Sequence, residues 1–307
     1  MKLSGIVNQI FEQVKQNGWQ AKIVSIAHVK DLEKEIRAHR QKGLFDEELY
    51  KGYLDRFNFT RSSFFKAARS LIVVAAPQPQ RRVTFQWRDQ SYTCIIPPTY
   101  DLTTDGQISV CLTDILEPYG YRLEKIRLPE KILSVRSGLA RYGKNNITYV
   151  TGMGSFHRPV VFATDLPCEE DSWGELKSLN ACAECAACMQ ACPTRAIDSD
   201  RFLLHAERCI TFHNERPCEF PKWLDPSWHN SLVGCMLCQN ACPMNLKLLN
   251  WIEDGSIFSE KETEYLFIGL PPDKMPKTTV EKLQKLGMTE YVRVLGRNLA
   301  AIKENQV

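Results

Sequence analysis

Cys182-Ala183-Glu184-Cys185-Ala186-Ala187-Cys188-Met189-Gln190-Ala191-Cys192-Pro193 decides how the rest of this chain is read. Two residues separate each of the first three cysteines, three separate the last pair, and proline follows directly. At that spacing three thiolates grip one face of a 4Fe–4S cube, and the fourth, before proline, reaches a different cluster. A second run, Cys235-Met236-Leu237-Cys238-Gln239-Asn240-Ala241-Cys242-Pro243, has the same ending without a leading cysteine. Cys209, in Glu207-Arg208-Cys209-Ile210, can supply the missing ligand. Exchanging the fourth ligand in both directions puts Cys182, Cys185, Cys188 and Cys242 on one cluster. Cys192, Cys209, Cys235 and Cys238 then hold the other.

Two other accounts of these cysteines fit less well. A secreted disulfide framework calls for an export signal and looser spacing. A four-cysteine zinc site needs only two C-x2-C pairs and leaves both C-x3-C-Pro endings unexplained. Of the remaining cysteines, Cys94 and Cys111 sit among apolar neighbours as core thiols, and Cys168 and Cys218 fall in polar loops as bystanders. Clusters of this kind pass one electron at a time, so two in series form a relay. A relay needs a destination, and residues 1–175 are where it is to be sought.

The 307 residues are 44% hydrophobic and 24% charged, a globular rather than a disordered composition, and the net charge is only +3. That balance leaves no strong footprint for nucleic acid. No apolar run approaches the roughly 18 residues of a membrane span. Met1–Gly5 leads into polar residues instead of a signal-peptide core, so the chain is expected to be soluble and cytoplasmic.

Residues 1–175 mix helical and strand signals. Ile6, Ile10, Phe11 and Val14 recur at helical spacing, and Lys22–Ile26 reads as a strand. Helices are expected over 29–41, 46–55, 106–118 and 130–140. The apolar run Ser70–Ala76, stopped by Pro77, reads as a buried strand, and Val83–Trp87 with Ser91–Ile96 as a hairpin. A strand from Tyr121, Ile147–Val150 and Pro159–Thr164 complete one central sheet of an α+β or α/β domain. The acidic stretch 166–181 reads as a solvated linker, 176–250 as the cluster module, and 251–307 as a helical tail with its clearest helix at 282–304. There is no G-x-G-x-x-G after a strand and no P-loop, and the six histidines are scattered, none with ligand spacing.

Several segments together resemble the epoxyqueuosine reductase family, cobalamin-dependent iron–sulfur reductases related to the reductive dehalogenases. Arg136-Ser137-Gly138-Leu139-Ala140-Arg141-Tyr142-Gly143-Lys144-Asn145 is similar to that family's A-G-L-G-W-x-G-K-N stretch. Gly154-Ser155-Phe156 followed by Thr164-Asp165-Leu166 resembles its G-S-W/F and T-D segment, and Arg69–Val74 its strand after a short helix. Cys209-Ile210-Thr211 and the run Gly234–Asn245 match best. The resemblance covers about residues 40–250. It implies an α+β fold, with a nitroreductase-like N-terminal domain (1–175) holding base-off cobalamin and a double 4Fe–4S ferredoxin-like module (176–250) beside it. Lys144, Asn145, Gly154 and Ser155 would then lie near the corrin, and flavodoxin or ferredoxin would be the electron donor.

This chain departs from the family at informative places. Counting back without gaps from Gly138, Glu130-Lys131 fall on the family's Glu-Arg pair, and Glu124 falls on the Asp that serves as proton donor. Glu124 is therefore the expected general acid, or else one charge on a strand facing water. Ala140 and Arg141 replace the family's second glycine and aromatic. The tail after 250 is expected to be too short for a stacked helical array, which needs about three units. The reading is a cobalamin-dependent iron–sulfur reductase of a small-molecule or modified-nucleoside substrate. An electron-transfer protein without corrinoid and an epoxyqueuosine reductase acting on tRNA are the alternatives.

Overall fold

The computed structural model describes residues 3–57, 59, 60 and 66–304. Its strands are β1 (Gln20–Ser25), β2 (Ser70–Pro77), β3 (Gln80–Trp87), β4 (Gln90–Ile96), β5 (Leu123–Lys125), β6 (Arg141–Tyr142), β7 (Thr148–Tyr149), β8 (His157–Thr164) and β9 (Ile252–Phe258). With the helices between them they make a mixed α/β protein. Contacts gather into two compact units: residues 1–77 with 103–185, and residues 78–102 with 186–307.

The first unit is built on an antiparallel sheet in the order β1-β2-β8-β5. β2 is apolar along its length and buried on both faces, which is why it reads as a continuous run and not an alternation. Helices Leu3–Gln16 and Thr103–Leu116 cover one face through Ile6, Ile10, Val14, Ile108 and Leu112. Helices Val29–Gln41 and Glu130–Arg136 contribute Leu32, Leu133 and Val135 to the other. The two-residue strands β6 and β7 form a separate antiparallel pair.

In the second unit β3 lies between β4, antiparallel, and β9, parallel. Here the expectation of one central sheet is corrected: the hairpin 83–87/91–96 exists but pairs with β9, a segment expected to be helical tail. Ile-Glu-Asp-Gly-Ser-Ile-Phe has little intrinsic strand preference, and its neighbour supplies what the sequence lacks. Arg81 pairs with Glu253, Arg82 with Asp254 at 2.9 Å, and Phe85 stacks on Phe258 at 5.0 Å. The register slips between Arg82 and Thr84, where Gly255 passes so close that a Cβ would lie 3.0 Å from the Arg82 carbonyl oxygen.

The expected helix 282–304 is two helices, Lys277–Lys285 and Val292–Glu304. Gly287 ends the first at φ +66, and any side chain there would strike the Tyr100 carbonyl. Leu283, Leu295, Leu299 and Ile302 pack with Val83, Phe85, Leu232 and Val233 in one core. Residues of the tail up to Ile302 thus share a core with the cluster segment, so the compact units differ from the consecutive division 1–175, 176–250 and 251–307.

The acidic stretch is also more than a solvated linker. Asp171 accepts from the Ser25 amide at 3.2 Å and pairs with His28 at 2.7 Å, while Trp173 stacks on the His28 ring at 4.2 Å. Trp173 and Leu176 pack against the first unit's core. The acids were legible as surface charge, but the aromatic anchor between them was not. Among the described residues no helix is long and apolar enough to cross a membrane.

Candidate iron–sulfur and corrinoid sites

The two cysteine runs adopt the same local structure position for position. Ala186 and Met236 precede short helices, Ala187–Gln190 and Leu237–Asn240, with φ/ψ of −118/6 and −105/−5. The Met189 amide donates to the Ala186 carbonyl at 3.0 Å, as Gln239 does to Met236 at 3.0 Å. The Cys192 amide reaches the Met189 carbonyl at 3.3 Å, and the Cys242 amide reaches Gln239 at 3.2 Å. The two helices pack on each other. In the second run the place of a leading cysteine is taken by Leu232, which is buried in the core and donates its amide to the Ile95 carbonyl at 2.8 Å. A packing residue stands at that position, so any further thiol beside this run comes from elsewhere in the chain.

Cys209 is placed to be that thiol. Its sulfur lies in the field of Cys192, and Cys235 feels both Cys209 and Cys192. Burial raises the Cys209 thiol and pushes Cys235 up to about 11. Neither thiol ionises readily without a neighbouring cation. Asn230 donates from Nδ2 to the Cys235 sulfur at 3.3 Å, and the Ala196 amide donates to Cys192 at 3.4 Å. All twelve cysteines are free thiols. Among the described residues no three Cys, His, Asp or Glu side chains gather as a single metal ion requires.

A buried frame holds the second run in place. Asn214, fully buried, donates from Nδ2 to the Gly234 carbonyl at 2.5 Å and accepts from its amide at 2.9 Å. Asn298, on helix Val292–Glu304, donates from its own Nδ2 to the carbonyls of Asn214 (2.8 Å) and Leu232 (2.9 Å). Gly234 has φ +77, and a Cβ there would lie 2.6 Å from the Tyr100 hydroxyl, itself bonded to Glu215. Sequence reasoning found the cysteines and missed this frame, because lone asparagines far apart in the chain carry no spacing signal.

In the first unit, Lys144 donates from Nζ to the carbonyls of Cys185 (2.9 Å) and Ala183 (3.3 Å), tying its loop to the first cysteine run. Asn145 is buried, donating to the Tyr149 hydroxyl at 2.9 Å and accepting from the Ile147 amide at 3.3 Å. A Cβ on Gly143 would meet Asn145 Oδ1 and the Tyr149 ring at 2.6 Å. Gly154 turns the chain at φ +53, and Ser155 is buried after it. Two neighbours that the sequence did not single out have buried polar atoms without partners among the described residues: Asn146 Nδ2 and His157 Nδ1. Lys131 lies beside both, donating to the Asn146 carbonyl at 3.4 Å and placing its charge near His157. Burial pushes His157 down to about 4, so it is neutral, with Nε2 on the Thr148 carbonyl at 3.0 Å and Nδ1 left as an acceptor.

The two acids of the family comparison fare differently. Glu124 lies exposed on β5. Glu130, at the start of its helix, is half-buried, and its carboxyl is pushed up to about 7 by burial, with Asp105 adding to the rise against Arg158, Lys125 and Arg127. Asp105 itself is held by Arg158, whose Nη2 donates at 2.9 Å, and by Lys125. Glu130 therefore faces a cation set already engaged by another carboxylate, so its own charge is poorly compensated.

Residues 181–245 match the protein family described as a 4Fe-4S double cluster binding domain. The epoxyqueuosine reductase of Aliivibrio fischeri is 31% identical over 98 residues, which is 31% of this chain and 25% of that relative. The match thus spans a quarter of the curated relative's length. The solved epoxyqueuosine reductase of Streptococcus thermophilus superposes with a TM-score of 0.69 at 17% identity, covering 98% of this chain and 81% of that one. An epoxyqueuosine reductase solved with a tRNA-Tyr epoxyqueuosine-modified stem loop gives 0.70 at 18% identity, covering 99% and 82%. The chain carries a double-cluster 4Fe–4S domain. It resembles epoxyqueuosine reductases in sequence over that shorter span and shares their fold over nearly its whole length.

Proposed function

We propose that the protein is an oxidoreductase of the epoxyqueuosine reductase type, in which two 4Fe–4S clusters deliver electrons to a base-off corrinoid held by a nitroreductase-like first unit. Cys182, Cys185, Cys188 and Cys242 would ligate one cluster, and Cys192, Cys209, Cys235 and Cys238 the other. The observation that carries the corrinoid reading is the pair of buried, unpartnered atoms, Asn146 Nδ2 and His157 Nδ1, which follow closely on the Lys144–Asn145 and Gly154–Ser155 positions that the resemblance assigns to the corrin. One is a donor and the other an acceptor, which suits a ligand edged with amide groups. When bound, a corrinoid supplies a strong one- or two-electron reductant that no side chain can replace.

The chain's own residues would do the rest. Lys144 and Asn145 fix their loop through protein contacts, and the turn at Gly154 brings Ser155 and His157 into place. Glu130 holds a proton near neutral pH and is the proton source we favour over Glu124, which is exposed. Flavodoxin or ferredoxin is the proposed electron donor, and the cytoplasm, where thiols stay reduced, the proposed setting.

For the substrate we favour epoxyqueuosine in tRNA over a free small molecule, because the fold is shared with the protein solved on a modified stem loop. The test is anaerobic turnover of an epoxyqueuosine-bearing anticodon stem loop with cobalamin and a low-potential reductant. Conversion to queuosine that depends on added cobalamin is the expected result. Cobalamin-independent conversion would remove the corrinoid from the account, and no conversion would move the substrate to the small-molecule class.

A further inference from the structure

Three buried polar atoms in the second unit lack partners among the described residues, and they surround one aromatic ring. The Arg297 guanidinium lies 3.9 Å from the centroid of Phe220, and the His229 ring packs against the same phenyl at 4.5 Å. Arg297 Nη1 and both ring nitrogens of His229 are buried and unpartnered. The other nitrogens of Arg297 are in use: Nη2 donates to the His213 carbonyl at 3.0 Å and to Asn298 Oδ1 at 3.1 Å, and Nε donates to Asn298 Oδ1 at 3.3 Å. His229 is 5% exposed, and burial with the nearby guanidinium pushes it down to about 4, so it is neutral with one N–H and one lone pair.

A buried, unpaired donor is costly, and more so on a charged group, so such atoms seldom persist without a purpose. Here a guanidinium and a neutral imidazole both lie against one phenyl ring. Cys218 and the Glu219 carboxylate lie close enough to the guanidinium to act on its charge. Both residues are exposed.

We propose that Arg297, His229 and Phe220 form a binding site for a small oxyanion, a phosphate or a carboxylate, with Cys218 and Glu219 beside it. The enclosure of His229 favours a free or terminal group over the interior of a polymer backbone. The site also has a route to the second cysteine run. Asn298, next to Arg297, holds Asn214 and Leu232. Asn230, next to His229, donates to the Cys235 sulfur and accepts from the Met236 amide at 2.8 Å. A bound negative charge would therefore sit one residue from two groups that position Cys235, and would lower the potential of the cluster held there.

The test uses the full chain with its clusters reconstituted, titrated calorimetrically with inorganic phosphate and, separately, with acetate. One saturable site for either anion is expected, and the preferred anion assigns the class. Arg297→Gln should weaken it at least about tenfold, the cost of a charged hydrogen bond. Because Arg297 also braces the His213 loop, His229→Phe serves as a second variant, with iron content as the control on folding. An iron-replete His229→Phe protein that binds as tightly as the parent would overturn the proposal. So would the absence of saturation with both anions, or a crystal structure in phosphate showing only water on Nη1 and the imidazole.

Discussion

Glu130 and Glu124 are six positions apart in the chain and chemically alike, and their surroundings separate them. Glu130 prefers to stay protonated up to about pH 7, whereas its unfolded value is 4.5. Between those values the unfolded chain gives up the proton and the folded one keeps it. This group's contribution is therefore fully present below pH 4.5 and is lost as pH rises through about 7. Glu130→Gln should flatten that part of the stability–pH curve, as chemical denaturation at a series of pH values would show. If Glu130 is the proton source, the same variant should slow turnover by about 10²-fold or more while retaining cofactor, and Glu124→Gln should not. The reverse outcome would restore the acid inferred by counting back from Gly138. That counting placed Glu130 in a structural pair, because a sequence column records position and says nothing of burial. The double-cluster domain, by contrast, was legible because its chemistry is written in cysteine spacing, and the ligand set read from that spacing is open to test. Cys185→Ala should remove one cluster and about half the iron, and an iron content unchanged by it would contradict the ligand set.

At the scale of elements, the helix Val292–Glu304 does more than cap the chain. Asn298 Nδ2 satisfies the carbonyls of Asn214 and Leu232, both ahead of the second cysteine run, and its removal leaves them buried without that donor. Asn298→Leu should destabilise the fold by about 2–5 kcal/mol, read from the denaturation midpoint, and should release iron faster than the parent protein. An unchanged midpoint would mean that the run stands without this brace. Gly234→Ala is expected to cost about 1–3 kcal/mol, since the residue sits at φ +77 against the Tyr100 hydroxyl. Elements with strong periodic signals, such as β2, the β3–β4 hairpin and helix Val29–Gln41, were readable from the chain alone. β9 was not, because its strand character comes from Arg81, Arg82 and Phe85 on its neighbour and not from its own residues. The break at Gly287 was missed for a similar reason: the close approach of the Tyr100 carbonyl is a tertiary fact.

Over the whole molecule, two compact units each draw on two stretches of chain, and the boundary between them falls within the first cysteine run, between Cys185 and Ala186. Such interleaving cannot be seen in a linear reading, which divides a chain at composition shifts. The class of the protein was nonetheless visible in the sequence, because eight thiols, seven of them in two related runs, admit few chemistries. The central claim is that these thiols bind two clusters and that the first unit takes a corrinoid. Metal analysis tests it most directly: anaerobic purification, incubation with hydroxocobalamin, gel filtration, then iron, cobalt and zinc per chain. The account predicts about eight iron and about one cobalt, with little zinc. Eight iron without cobalt would contradict the corrinoid reductase and leave an electron carrier, and zinc in place of iron would contradict the clusters themselves.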